Sequence, residues 1–308
     1  MIKSLVGYTG FVGSNLASQV KFDGLYNSKN IEEAYNTKPD LLIYSGIRAE
    51  KYLANKEPEK DHAIIQEAIE NIIKIKSKRL VLISTIDVYK NPVDVDEDTA
   101  IETEDLHPYG LNRYFAEKWV EENIEDYLIV RLPGLYGKNI KKNFIFDLIN
   151  IIPSMLTEAK FIELCQKDDF IEPYYINQDN GFYKCKDISE SERSKFKEYF
   201  NKIGFSALNF TDSRGTFQFY NLSYLWSHIE TALNNGIKKI NFATEPVRVS
   251  ELYKYIKNSD FINEVAQNPP VYDYKTKHFK LFSGNNGYIF DKPYVLEDIK
   301  KFVEDYLK

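Results

Sequence analysis

Residues 2–13 read IKSLVGYTGFVG, and this stretch decides the fold. Its first half predicts a short strand over Ile2–Val6, and the segment that follows predicts a helix over Phe11–Val20. The glycines between them have the spacing GxxGxxG. In a strand–turn–helix unit, such glycines allow a tight turn, the approach of a pyrophosphate to the backbone, and close packing of helix on strand. The stretch therefore predicts a dinucleotide site, and the alternative is a tight turn that binds nothing. The residues of this site are Gly7, Thr9, Gly10, Phe11, Val12 and Gly13.

The first 137 residues alternate short apolar runs with amphipathic segments. We expect strands over Gly24–Asn27, Asp40–Ser45, Arg79–Ser84 and Tyr127–Leu132, and helices over Ile31–Asn36, Asp61–Ser77 and Pro108–Asn123. Continuous apolar strands separated by helices are typical of a parallel sheet that is covered on both faces. The predicted fold class is therefore α/β, a Rossmann-type doubly wound parallel sheet with a smaller C-terminal substrate lobe.

The alternation of strands and helices stops after Gly137 and returns near residue 214. Residues 138–213 are richer in Lys, Asp, Asn and aromatic residues. The later segments predict a strand over Gly215–Tyr220, a helix over Leu222–Leu233, a strand over Lys239–Ala243, and helices over 250–256 and 296–307. We therefore predict a dinucleotide-binding domain over 1–137 and 214–244, and a substrate-binding lobe over 138–213 and 245–308.

Composition excludes several classes of protein. Of the 308 residues, 43% are hydrophobic and 28% are charged, which is typical of a soluble globular protein. The net charge of −6 argues against nucleic-acid binding, which requires a basic face. The longest apolar stretch, Phe144–Leu156, contains Asp147 and Pro153 and is too short for a membrane span. Without a secretory signal or paired cysteines, we expect a cytoplasmic protein, and the four scattered histidines predict no metal site.

The segment that should contact the adenosine ribose has no acidic residue. Dinucleotide sites usually carry an Asp or Glu about 20 residues after the first glycine. Here that position is occupied by Asn27, Ser28 and Lys29, of which Ser28 and Lys29 are suited to a 2′-phosphate. The sequence therefore favours NADP as the cofactor and leaves NAD open.

Four segments carry a resemblance to a known family. They are residues 7–13, STIDVY at 84–89, PYGLNR at 108–113 and RLPGLYG at 131–137, with weaker matches at 214–217, 240–247 and 250–252. The sequence resembles the extended short-chain dehydrogenase/reductase family, in its nucleotide-sugar epimerase/dehydratase branch. The resemblance implies an enzyme that acts on a nucleotide-activated sugar. It also implies a homodimer formed through the helices over 61–77 and 108–123.

The resemblance places the catalytic acid/base at Tyr109. An unperturbed tyrosine has a pKa of about 10, and a nearby cation lowers it by favouring the phenolate. The family has a lysine four residues later, on the same helix face, whereas this chain has Arg113. Thr85 corresponds to the residue that hydrogen-bonds the reacting sugar oxygen. We therefore expect an NAD(P)-dependent epimerase or reductase. The alternative is a catalytically impaired member that binds NAD(P) as a structural or sensing ligand.

The remaining candidates are implied by their positions in the same segments. Ser84 and Pro133 are expected at the cofactor. Asp87, Asn143 and Arg214 are expected, together with Thr85, at the substrate. Ile86 and Asp87 stand where dehydratases of the family have an adjacent Asp-Glu pair, so sugar dehydration is disfavoured.

Overall fold

The computed structural model describes all residues, 1–308. The strands are β1 (Lys3–Val6), β2 (Gly24–Tyr26), β3 (Leu41–Tyr44), β4 (Arg79–Thr85), β5 (Tyr127–Leu132), β6 (Gly134–Tyr136), β7 (Met155–Thr157), β8 (Tyr175–Asn177), β9 (Phe182–Cys185), β10 (Thr216–Phe217), β11 (Phe219–Asn221), β12 (Lys239–Asn241) and β13 (Val247–Arg248). The helices are α1 (Phe11–Gln19), α2 (Lys51–Lys56), α3 (Pro58–Ile75), α4 (Pro108–Asn123), α5 (Phe144–Ile149), α6 (Glu158–Lys167), α7 (Glu190–Lys202), α8 (Leu225–Asn234), α9 (Val249–Lys257) and α10 (Lys292–Tyr306).

A six-stranded parallel sheet forms the centre of the fold. Its strand order is β12-β5-β4-β3-β1-β2, and every neighbouring pair is parallel. The chain moves from β1 outward to β2 and then returns to β3 on the other side of β1. This reversal is a topological switch point, outside which ligands bind at the carboxyl ends of the strands. The predicted doubly wound α/β class is confirmed, and the glycine loop follows β1 at the switch point.

Burial explains why these strands could be read from the sequence. All four residues of β3 are buried, and so are Leu80, Val81 and Leu82 of β4. Strands covered by helices on both faces are apolar throughout, because neither face meets water.

Several element boundaries differ from the prediction. The segment expected to be helical over Ile31–Asn36 is a 3-10 helix over Ile31–Ala34. Helix α3 begins at Pro58, because proline fits the first turn of a helix, where its missing N–H is not needed. The strand expected over Gly215–Tyr220 is divided into β10 and β11. Helix α2 was not predicted.

The chain forms two compact units. The first comprises residues 1–140, 216–248 and 270–300, and the second comprises 141–215, 249–269 and 301–308. Residues 270–300, which we expected in the lobe, lie in the first unit. Buried hydrogen bonds hold them there, because Tyr274 N–H donates to Gln218 Oε1 (2.9 Å) and Gln218 Nε2 donates to the Tyr274 carbonyl (2.8 Å).

The second unit has a core of its own. Strands β7, β9 and β8 form an antiparallel sheet in that order. Its core includes Phe161, Tyr175, Phe196 and Phe200, so much of the aromatic content of this region is structural. None of the ten helices of the chain has the length and hydropathy required to cross a membrane.

Candidate active site

The glycine loop has the form that a bound pyrophosphate requires. Gly7 has φ +89°, and a Cβ on it would lie 2.6 Å from the carbonyl of Ser45. A Cβ on Gly13 would lie 2.1 Å from the Gly7 oxygen, so these two glycines are required by the turn itself. At Gly10 the nearest atom to a Cβ is the Gly7 oxygen, at 3.3 Å, a tight contact that needs only a small shift, so the fold constrains this position less than Gly7 and Gly13. Gly10 is also the N-cap of α1 and gives the helix no side-chain cap. The loop therefore leaves the first amides of α1 open to an anion, as a dinucleotide site requires.

The candidate ribose segment is a solvent-exposed turn. Asn27 organises it by accepting the Lys29 N–H at Oδ1 (2.8 Å), while Asn30 Oδ1 accepts the Asn27 N–H (2.8 Å). Ser28 and Lys29 are exposed and line a surface cavity. The same cavity is lined by Glu32 and Glu33, whose negatively charged carboxylates repel an anion. The segment thus offers one ammonium group and one hydroxyl to a 2′-phosphate.

Helix α4 brings Tyr109 to the carboxyl end of β4. His107 caps the helix by accepting the Gly110 N–H at Nδ1 (3.0 Å), and the Tyr109 N–H donates to Asn55 Oδ1 (2.9 Å). A Cβ on Gly110 would lie 2.1 Å from the Asp87 carbonyl oxygen. The glycine therefore lets the first turn of α4 approach Asp87, which lies two residues after Thr85, the last residue of β4.

The phenol of Tyr109 is buried beside Thr85. Burial is the largest influence on its pKa, which is raised above the ordinary tyrosine value. Arg113 opposes this shift through its charge, and the Thr85 hydroxyl opposes it through a hydrogen bond, whereas Asp87 and Asp61 add to it. Because the net change is upward, Tyr109 carries its proton at neutral pH. In this state it can donate a proton to an oxygen placed beside Thr85.

Arg113 lies over the Tyr109 ring. Its guanidinium carbon is 4.1 Å from the ring centroid, and the residue is only 3% exposed. The guanidinium donates through one NH₂ group to the Asp61 carboxylate and through the other to the Arg48 carbonyl (2.5 Å). Spacing along the helix predicted that Tyr109 and Arg113 share a face, and the structure brings them together. Their partners Asp61 and Arg48 were not predicted.

A second polar cluster surrounds Asp87. Lys51 Nζ donates to Asp87 Oδ1 at 2.8 Å, and the Tyr272 hydroxyl donates to the same oxygen at 3.1 Å. Burial, and secondarily the charge of Lys51, lower the pKa of His107. The cluster thus places a carboxylate, an ammonium group and a phenol next to the catalytic candidates.

Three other candidates have partners of their own. The Ser84 hydroxyl, expected at the cofactor, donates to Glu117 Oε1 (2.5 Å) and is buried. Asn143 Oδ1 accepts the first free N–H groups of α5 (3.0 and 3.2 Å). Arg214 binds Asp212 (2.8 Å), Glu264 (3.1 Å) and a main-chain carbonyl (2.7 Å).

These contacts already occupy the side chains of Ser84, expected at the cofactor, and of Asn143 and Arg214, expected at the substrate. Adjacent strand residues point to opposite faces, so Thr85 faces the site while Ser84 points to the interior. Asn143 and Arg214 belong to the second unit, and the partners named for each lie within that unit. Pro133, which follows β5, is half-buried.

Residues 4–162, slightly more than half of the chain, match the family described as RmlD substrate binding domain. The chain belongs to this family. The predicted resemblance to the extended short-chain dehydrogenase/reductase type is thereby confirmed. No curated protein sequence matches the chain.

Solved structures share the fold of this RmlD-family chain over nearly its whole length. A dTDP-4-dehydrorhamnose reductase from Bacillus anthracis str. Ames, in complex with NADP, has 16% identity and a TM-score of 0.63, covering 99% of this chain and 100% of that one. The same kind of reductase from Yersinia enterocolitica has 14% identity and a TM-score of 0.64, with both chains fully covered. A UDP-glucose 4-epimerase from Thermotoga maritima, with UDP-glucose, has 13% identity and a TM-score of 0.62, covering 99% and 98%. At these identities the likeness establishes the Rossmann-type fold.

Sequence reasoning missed three site residues of this RmlD-family chain. Asp61 had a readable signal, because it lies on the helix face that is otherwise formed by apolar residues such as Ile65 and Ala68. Lys51 and Tyr272 had none, because α2 is too short to show a periodic pattern and Tyr272 lies outside any strand or helix.

Proposed function

We propose that the chain is an NADPH-dependent reductase that converts the ketone of a nucleotide-bound sugar to an alcohol. The observation that carries the proposal is the buried, proton-bearing Tyr109 beside Thr85 at the carboxyl end of β4. Reduction of a ketone requires a proton on the oxygen, which a protonated phenol supplies. Epimerisation by hydride transfer begins instead with removal of a hydroxyl proton. That step requires the phenolate form of Tyr109, which is disfavoured because burial raises the pKa of the phenol. The names of several structural neighbours, dTDP-4-dehydrorhamnose reductases, agree with reduction.

The cofactor fits the glycine loop described above. Gly7, Gly10 and Gly13 together with the N-terminus of α1 would hold the pyrophosphate, and Ser28 and Lys29 would hold a 2′-phosphate. NADPH, when bound, supplies the hydride. Thr85 orients the substrate carbonyl through its hydroxyl, and Tyr109 donates its proton to that oxygen. Glu32 and Glu33 lie in the same cavity as Lys29, so we expect a moderate preference for NADPH over NADH.

The decisive assay follows NADPH absorbance with dTDP-4-dehydrorhamnose, and in parallel tests interconversion of UDP-glucose and UDP-galactose. We expect reduction of the keto-sugar, and Tyr109→Phe should lower kcat by about a hundredfold or more, because the proton donor is lost. Binding of NADPH to the variant should be retained. Tyr127→Phe is the control, because Tyr127 begins β5 and lies at the amino end of the parallel strands, away from the carboxyl end that carries Thr85. Turnover of the UDP-sugars alone, or an active Tyr109→Phe enzyme, contradicts the proposal.

The same preparation tests the cofactor. Lys29→Ala should weaken NADPH binding and leave NADH binding unchanged, because only NADPH carries the 2′-phosphate. Equal affinities of the unmodified protein for both cofactors would contradict the assignment to NADP.

One observation favours a second candidate function, a cofactor-binding protein without turnover. The Arg113 guanidinium, which stands where related enzymes have a lysine, is engaged by Asp61 and by the Arg48 carbonyl instead of by the reacting groups. This candidate predicts NADPH binding with no hydride transfer to any keto-sugar, together with a gain of activity in Arg113→Lys.

A further inference from the structure

The contacts of Arg113 differ from those expected of a cation that activates a phenol. A guanidinium lowers a phenol pKa most when one of its N–H groups points at the oxygen. Here the two hydrogen bonds of the guanidinium run to the Asp61 carboxylate and to the Arg48 carbonyl, while the guanidinium carbon lies over the Tyr109 ring. Arg113 therefore acts on the phenol through its charge and its packing, and not through a hydrogen bond.

The buried surroundings of Asp61 hold its carboxylate against the Arg113 guanidinium. It is 6% exposed and lies on α3, opposite the first turns of α4. Its Oδ2 atom accepts the Arg113 N–H and also the Asn112 side-chain N–H (2.8 Å). Asn112 in turn donates to the Pro58 carbonyl (3.2 Å), so the carboxylate is fixed from two sides. A buried carboxylate with these partners leaves the guanidinium little freedom to turn.

We infer that Asp61 is a positioning residue: by binding the Arg113 guanidinium over the centre of the Tyr109 ring, it directs the guanidinium N–H groups away from the phenol oxygen, so that Tyr109 acts as a proton donor. The inference rests on the proposed ketone reduction and adds to it the residue that sets the direction of proton transfer. It also gives the arginine at this position a role that a lysine would not fill, because an ammonium group has no flat face to stack.

Other groups also act on Tyr109 and remain constant in the test. Asp87 faces it from the segment after β4, and the Thr85 hydroxyl contacts its oxygen. The His107 ring lies 6.3 Å away at the start of α4, and Lys51 of α2 is paired with Asp87. None of these groups is altered by a substitution at Asp61.

The test is the ionisation of Tyr109 in the cofactor-free protein, followed by NMR of tyrosine labelled at the ring Cζ. The Tyr109 signal is assigned by its absence in Tyr109→Phe. In Asp61→Asn the guanidinium is free to turn toward the oxygen, so the Tyr109 pKa should fall by about one unit or more relative to the unmodified protein. Glu70→Gln, which removes one exposed charge from the same helix, should cause no shift.

A background without the guanidinium separates positioning from a direct charge effect. In Arg113→Gln the substitution Asp61→Asn should shift the Tyr109 pKa far less, because nothing remains to be reoriented. An equal shift in both backgrounds, or no shift in either, overturns the inference. Should Asp61→Asn fail to fold, Asp61→Glu keeps the counter-charge but moves it by one methylene, and a Tyr109 pKa unchanged in that variant likewise overturns it.

Activity provides an independent readout. In Asp61→Asn the alkaline limb of the kcat/KM profile for keto-sugar reduction should shift to lower pH, by the same amount as the Tyr109 pKa measured by NMR. Because the NMR titration needs no substrate, it decides the role of Asp61 even if no sugar is turned over. Conversely, normal reduction with an unchanged Tyr109 titration refutes the positioning role and leaves the reductase assignment intact.

Discussion

Glu117→Gln tests whether a buried ion pair fixes α4, the helix that carries Tyr109, to the sheet. Glu117 lies on α4, two turns beyond Tyr109, and is fully buried. Arg131 of β5, 1% exposed, donates to it through Nε (3.0 and 3.1 Å) and through one NH₂ group (2.6 Å). The Ser84 hydroxyl of β4 donates to the same carboxylate (2.5 Å). A neutral amide at this position leaves the Arg131 guanidinium buried without a counter-charge.

The expected cost follows from that burial. Removing one partner of a buried ion pair typically costs about 3–5 kcal/mol, because the remaining charge stays desolvated. The Tyr89 hydroxyl, which accepts from Arg131 (2.7 Å), cannot replace a carboxylate. We therefore expect the free energy of unfolding to fall by about 3 kcal/mol or more in a urea titration followed by circular dichroism.

Glu121→Gln is the matched control. Glu121 lies one turn further along α4 and pairs with Lys118 and Lys239, which are partly exposed. Exposed pairs contribute about 0–1 kcal/mol, so this variant should remain close to the unmodified protein. If Glu117→Gln costs no more than Glu121→Gln, the buried pair does not fix the helix and the reasoning fails.

Two further predictions concern the cofactor loop and the effect of pH. Gly10→Val should lower the melting temperature only modestly, because its Cβ meets the Gly7 oxygen at 3.3 Å, yet it should weaken NADPH binding by about a hundredfold, the equivalent of ~3 kcal/mol of lost amide–phosphate contacts. Gly13→Ala should instead impair folding, since its Cβ would lie 2.1 Å from a backbone oxygen. His228 is half-buried among aromatic rings, and this burial lowers its pKa to about 4. On acidification the unfolded state therefore takes up this proton before the folded state does, and stability should fall by up to about 3 kcal/mol between pH ~6.5 and ~4. In His228→Gln this part of the pH dependence of the urea midpoint should disappear, and its persistence would contradict the assignment.

The parallel sheet and the core of the candidate site could be predicted because both depend on local pattern. Strand β3 and the central residues of β4 and β5 form continuous apolar runs, and the helix spacing of Tyr109 and Arg113 fixes which side of α4 they share. The position of Thr85 follows from its place at the end of a buried strand.

The remaining contacts depend on the folding of distant segments and left no local signal. Residues 270–300 contain few regular elements, so nothing in their pattern assigned them to the first unit. They are held by isolated bridges, among them Thr216 with Val271 and Thr244 with Phe290. Tyr272 reaches Asp87 across 185 residues of sequence, and only the folded chain shows this proximity.

The composition of α4 ties stability to the chemistry of the site. Its buried residues include Asn112, Arg113 and Glu117, so the buried side of this helix is substantially polar. Charge pairs and hydrogen bonds, unlike apolar contacts, require a particular partner and orientation, and here they hold one helix to α3 through Asp61 and to β5 through Arg131. A shift of α4 by one residue would break both pairs and leave four charges buried. The arrangement that fixes the helix therefore also fixes the phenol of Tyr109 beside Thr85, which is the geometry that the proposed ketone reduction requires.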